Sequence, residues 1–284
     1  MKLFCCITFH YKDERIKYLI ETINGVSEIQ TEKTEICIIT NTNISHEIEK
    51  IEKLIKFFDT NKFKISINTF NKLINPWFLT WVHKSLMANK FLENEFSHFL
   101  CLEDDIRMTN FNICYWLEYR EELRSEKLYP SFLRVERKNN SNQWVSTDVT
   151  KPISLKNKKT ISIENKGIAF INSPQPYQGM FFYDNELMKE HLQSVTANVK
   201  DYGLLEFVDV DPSWPGGGVA ERANLALTYH NVPNGYTSRN VLPYNKYFAL
   251  IDHRCLIHHT PNNYANEKPN SLFGKISISD LLTD

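Results

Sequence analysis

No excess of either charge marks this chain: 33 Lys and Arg stand against 34 Asp and Glu over 284 residues, a formal net charge of −1 at pH 7. That balance gives no global field to attract nucleic acid or an anionic membrane, so any phosphate recognition must be local. Long apolar runs are missing as well. The amino-terminal Leu3-Phe4-Cys5-Cys6-Ile7-Thr8-Phe9 gives way at once to His10-Tyr11-Lys12-Asp13-Glu14-Arg15. It is too short for a signal segment with its cleavage site, and far too short to span a bilayer. The expectation is a cytoplasmic protein with no transmembrane segment and no nucleic-acid partner, with peripheral membrane contact left open. The six cysteines, Cys5, Cys6, Cys37, Cys101, Cys114 and Cys255, show no CxxC spacing. Most lie in apolar, strand-like runs, so they read as reduced core residues rather than a disulfide framework or a zinc site. No internal repeat is present, and a hydrophobic fraction of 42% is ample for a core.

The first half alternates apolar runs with amphipathic patterns. Leu3 to Phe9, Glu35 to Thr40 and Phe63 to Phe70 read as strands, with helices expected from about Asp13 to Ile23 and from Ser45, as N-cap, to Phe58. Pro76 suits the first turn of a helix carrying Trp77, Phe78, Trp81, Val82 and Leu86. Its Trp77 and Trp81, four apart, read as core. This βαβαβαβ order predicts a mostly parallel sheet with right-handed crossovers. The second half is less regular: a helix from about Asn110 to Ser125, strands at Ser131 to Arg137 and Gly179 to Tyr183, a Gly216-Gly217-Gly218 loop and a helix from about Val219 to Tyr229. The tail beyond Asn266 carries few core signals and is expected on the surface.

The most informative stretch is His98-Phe99-Leu100-Cys101-Leu102-Glu103-Asp104-Asp105-Ile106, an apolar strand that ends in three acids. If the chain stays extended, Glu103 and Asp105 share a face and Asp104 points away. Two such carboxylates suit a hard divalent cation with positions left for phosphate oxygens. A helix cap or a solvated turn is the competing reading. Parallel α/β sheets bind ligands beyond the carboxyl ends of their strands. Thr8 to Tyr11 and Asn41 to Asn43 end the first two strands, so they could line one crevice with the acids.

This arrangement resembles the GT-A glycosyltransferases, whose signature is a D-x-D-like acidic motif ending a central strand; here it reads Leu102-Glu103-Asp104-Asp105-Ile106. The resemblance covers about the first 230 residues and one later segment. It implies a single α/β GT-A-like domain over 1–284, with a Rossmann-type, mostly parallel central sheet flanked by helices. About 1–106 would form the nucleotide-binding half, about 107–265 a mixed acceptor and catalytic half, and 266–284 a surface tail. It further implies a nucleotide-sugar donor, UDP-linked in the commonest case, a glycan or glycolipid acceptor in polysaccharide or lipopolysaccharide biosynthesis, and Mn²⁺ or Mg²⁺ at the donor diphosphate. Asp105 corresponds to the acid that binds the metal most directly. Glu103 and Asp104 correspond to those contacting metal-bound water or ribose, with Glu103 also a metal candidate. His258 or His259 corresponds to the histidine ligand that the family often supplies near its carboxyl end.

An inverting transferase needs a base for the acceptor hydroxyl. Glu221, just after Trp214-Pro215-Gly216-Gly217-Gly218, fits that place, with Asp209 and Asp211 as competitors; a retaining reaction would need no such base. Gln178 and Gly179 resemble an acceptor-side sugar contact, and Trp214 could stack on a sugar face. Arg134 and Glu136 share a strand face and would form an ion pair or orient an acceptor hydroxyl. His10, Tyr11, Arg15 and Asn41 are placed to meet the nucleoside and its phosphates, and Lys84 could reach a diphosphate unless it is merely solvated. The segment Thr8 to Arg15 has no glycine, which argues against a nucleotidyltransferase with a Gly-rich phosphate loop. A metal-dependent phosphohydrolase and a non-catalytic carbohydrate-binding protein remain as alternatives.

Overall fold

The computed structural model describes residues 1–58, 60–73, 75–139, 141–197, 219–267 and 270–283. The chain divides into two compact units: Met1–Ile106 with Gly179–Leu227, and Arg107–Gln178 with Thr228–Asp284. The first unit is thus discontinuous in sequence, with Gly179–Leu227 returning to it after the first stretch of the second.

Unit 1 is built on β1 (Lys2–Phe9), β2 (Lys33–Thr40), β3 (Phe63–Thr69) and β4 (His98–Glu103), joined by α1 (Ile16–Ser27), α2 (Ser45–Ile55) and α3 (His83–Leu92). β1 pairs in parallel with β2 and with β4, and β2 with β3. The strand Met180–Asp184 adds antiparallel to the outer side of β4, giving the order β3-β2-β1-β4 and then this fifth strand. β1 is buried at every position from Leu3 to Phe9, as a central strand covered on both faces must be. β3 at the edge alternates between half-buried and exposed residues. Because β2 and β3 lie on one side of β1 and β4 on the other, the strand order reverses between β1 and β4. A doubly wound sheet opens its ligand crevice at that point.

Two local expectations change. Ser45 is the first residue of α2 rather than its cap; Ile44 holds the cap position, and the Thr42 hydroxyl accepts from the Ile44 N–H and donates to Glu47. The Pro76 segment is a 3-10 turn, Pro76–Trp81, ahead of α3, with the Asn75 side chain accepting from the Trp77 N–H. The tighter pitch separates the two tryptophans: Trp81 is buried against Phe78 and Ala223, whereas Trp77 is exposed.

Unit 2 has a mixed sheet in which Ile168–Asn172 lies between Thr160–Ile163 and Asn240–Asn245, antiparallel to both. In a second sheet, Leu133–Arg137 is parallel to Leu256–His259 and antiparallel to Trp144–Ser146. The helix Asn110–Arg124 is fixed by a capping box between Thr109 and Asn112. The Asn112 side chain also donates to the carbonyls of Arg254 and Leu256. The tail is not a surface appendage. Ile278, Leu281 and Leu282 are buried, and Leu282–Thr283 pairs with Ile153–Ser154. A few apolar residues among polar neighbours give too short a pattern to register as core in the sequence. All six cysteines lack a disulfide; five are buried and Cys114 is exposed. Among the described residues, no helix is long and apolar enough to cross a membrane.

Candidate functional site

The acids sit at the carboxyl end of β4, beside the end of β1. Their backbone is fixed from three directions: the Asp104 N–H donates to the Thr8 carbonyl (3.1 Å), the Glu103 N–H to the Gly179 carbonyl (3.0 Å), and the Thr22 hydroxyl to the Asp104 carbonyl (2.9 Å). Gly179 has φ +65°, a conformation in which a β-carbon is strained. β4 ends at Glu103, and the chain turns through Asp104 and Asp105. This turn overturns the expected alternation of faces. Asp104 and Asp105 converge, while Glu103 takes a different partner.

That convergence is on Arg15. Its Nε donates to Asp104 Oδ2 (2.8 Å), and its Nη2 donates to Asp104 Oδ1 (2.6 Å) and Asp105 Oδ2 (2.9 Å). The two carboxyl groups are nearly buried, and Arg15 is partly open to solvent. Burial first, and then the adjacent Asp105 carboxylate, push Asp104 up to about 7 against the opposing pull of Arg15. Burial works against the Arg15 charge, but the bond and attraction to Asp104 outweigh it and raise the guanidinium above its ordinary range. The Arg15 guanidinium is thus shared between two buried carboxyl groups.

Around it, β1 and β2 bring in the other expected residues. The Tyr11 N–H donates to Asn41 Oδ1 (2.7 Å), tying the ends of the two strands, and the Tyr11 hydroxyl donates to Asp13 (2.6 Å). His10 is half-buried, and burial, then Lys12 and Arg15, lower its pKa. The short helix Val219–Leu225 approaches from the other side: the Trp81 indole N–H donates to the Val219 carbonyl (2.8 Å), and Asn224 Nδ2 donates to Glu103 Oε1 (3.1 Å). Glu221 lies half-buried in its first turn, one turn before Asn224. Asn224 escaped the sequence reading. The only signal for it is that it lies three residues after Glu221 on an expected helix. Lys84 is not solvated: it is buried, donates to the Thr196 carbonyl, and lies 3.9 Å from the Trp81 ring centroid. Burial lowers it to about 7.

The remaining candidates belong to unit 2. Arg134 forks onto Asp148 (2.8 and 2.6 Å). Glu136, fully buried, accepts from the Ala265 N–H (2.6 Å) and bonds His259 Nδ1 (2.5 Å). Asp148 and His259 are thus their partners, neither foreseen in that role: Asp148 lies 14 positions after Arg134, just past the Trp144–Ser146 strand, and His259 lies 123 positions after Glu136. His258 Nε2 meets Asn262 Oδ1 (2.9 Å). Gln178 is a tether, its Oε1 accepting from the Phe132 N–H (2.8 Å) and its Nε2 donating to the Pro176 carbonyl. Asp209, Asp211, Trp214 and the three glycines lie outside the described residues.

The chemistry of the acid cluster fits a divalent cation. Its donors are hard carboxylate oxygens: Asp104 and Asp105 share the Arg15 guanidinium, and Glu103 accepts from Asn224. Among the described residues no three His, Cys, Asp or Glu side chains are grouped to hold a metal. Mg²⁺-type sites commonly use one or two carboxylates, completed by water and substrate phosphate.

No protein-family profile matches the sequence, and no curated protein matches it. Among solved structures, the crystal structure of S. aureus TarS 1-349 aligns over 67% of this chain and 49% of its own, at 12% identity and a TM-score of 0.35. The chain thus spans about half the length of that structure, and a likeness at this level establishes neither fold family nor activity.

Proposed function

We propose that this chain is a glycosyltransferase, moving a sugar from a nucleotide-diphosphate donor, UDP-linked in the first instance, to a glycan or glycolipid acceptor on the cytoplasmic side of polysaccharide or lipopolysaccharide assembly. The observation that carries the reading is the placement of Glu103, Asp104, Asp105 and Arg15 where the strand order reverses between β1 and β4. Negative groups gathered at a nucleotide crevice need cations to admit an anionic ligand. Asp105 and Glu103 would hold Mn²⁺ or Mg²⁺, which supplies compensation for the negative charge of the departing nucleoside diphosphate.

The chain's own residues do the rest. Arg15 orients Asp104 through a two-bond fork and Asp105 through one further bond, and leaves Glu103 to Asn224. His10, Tyr11 and Asn41, at the ends of β1 and β2, bind the nucleoside. Glu221 takes the proton of the acceptor hydroxyl as that oxygen attacks the anomeric carbon, which makes the reaction inverting. His258 and His259 are each engaged through one ring nitrogen within unit 2, and no step is assigned to them.

The test is nucleoside diphosphate release from a set of nucleotide sugars with Mn²⁺ and with EDTA. Release that needs both the metal and Asp105, and is lost in Asp105→Asn, is the expected result. Glycan binding that never releases a nucleotide would replace the reading with a carbohydrate-binding protein.

A further inference from the structure

Unit 2 contains a half-open cavity of about 270 Å³ between the start of the Asn110–Arg124 helix and the Leu256–His259 strand. We propose that it binds a single sugar ring bearing a carboxylate. The inference stands on unit 2 alone and does not depend on the transferase reading.

Four observations support it. The first is size: the volume lies just under the roughly 300–1,000 Å³ typical of drug-sized ligands, which suits one ring rather than several. The second is charge. Arg107 supplies positive charge to the lining, His253 and His258 add ring nitrogens, with burial lowering the pKa of His258, and no Asp or Glu is among the described lining residues. The Asn110–Arg124 helix also begins there, with Thr109 in the wall and Phe111 in the first turn, so its partial positive charge favours an anion. Third, Phe111 and Trp144 line the cavity yet remain 58% and 36% exposed. Large aromatic faces left open beside polar groups suit the apolar C–H face of a sugar. Fourth, Trp144 is held in place, its ring edge-on to His258 at 5.1 Å and 86°, so little order has to be gained on binding. A planar guanidinium matches the two oxygens of a carboxylate, which favours an acidic sugar over a neutral one and over a bare phosphate.

The full chain would be titrated with methyl glucuronide, with its neutral counterpart methyl glucoside and with inorganic phosphate, by saturation-transfer NMR and without nucleotide. The glucuronide should bind about tenfold more tightly than the glucoside, with its ring protons receiving saturation and phosphate failing to displace it. Arg107→Gln should erase the preference, and Trp144→Ala should remove binding of both sugars, while Trp144→Phe retains part of it. Thermal melts of each variant exclude unfolding as the cause. Equal binding of the two sugars, glucuronide displacement by phosphate, unchanged binding in Trp144→Ala, or no binding by the folded wild type would each overturn the proposal. Nucleotide-sugar turnover can fail while this binding succeeds, and the reverse, so the two readings are separately testable.

Discussion

Arg15 and Asp104, 89 positions apart, meet through two parallel bonds of 2.8 and 2.6 Å at the end of β4. Asp104 nonetheless titrates near 7, against an ordinary 3.8. Between those values the folded chain holds a proton that the unfolded chain has lost. This stability is present below pH 3.8 and is lost as pH rises through about 7. At about 1.4 kcal/mol per unit, the change is on the order of a few kcal/mol. Chemical denaturation across this range should show the decline in the wild type and a flatter curve in Asp104→Asn.

Lys84 acts in the opposite direction. Its amine titrates near 7 in the fold and near 10.5 unfolded, so above pH 7 the unfolded chain binds the additional proton and stability rises with pH. Lys84→Met keeps the contact with Trp81 and removes the buried amine. It should raise the denaturation midpoint at pH 7 and flatten the alkaline rise. Together, the two groups put a stability minimum near neutrality in the wild type.

In unit 2, the buried Glu136–His259 pair is a packing element. Removing one partner leaves a buried polar group short of its bond. His259→Ala or Glu136→Ala should therefore cost about 3–5 kcal/mol in denaturant unfolding. The double variant should lose less than the sum of the two, because the residues act as one unit.

Glu221→Gln keeps the shape of the helix turn and removes the proposed base. In single-turnover assays it should slow sugar transfer by about 100-fold or more, with donor binding unchanged. Undiminished transfer would move the base role elsewhere or favour a retaining reaction.

The local features of unit 1 were legible because they depend on neighbours in sequence: apolar runs, the helix periods between them and the abrupt acids after Leu102. The partner of those acids was not, since Arg15 reaches them only after three strand-helix units have folded. The turn at Asp104 and Asp105 was hidden for a similar reason: an acidic triplet looks the same extended or turned. Burial of Lys84 depends on Trp81 and Thr196 closing over it, which its own helix does not signal. In unit 2 the strand expected from Ser131 to Arg137 is found as Leu133–Arg137, yet Arg134 and Glu136 pair with Asp148 and His259.

The most direct test of the account is calorimetric titration of the full chain with UDP, with and without Mn²⁺, in the wild type and in Asp105→Asn. The expected result is UDP binding strengthened about tenfold or more by Mn²⁺, with that gain abolished by Asp105→Asn while the melting temperature shows the variant folded. UDP binding that is indifferent to both Mn²⁺ and Asp105, or no UDP binding at all, would contradict it.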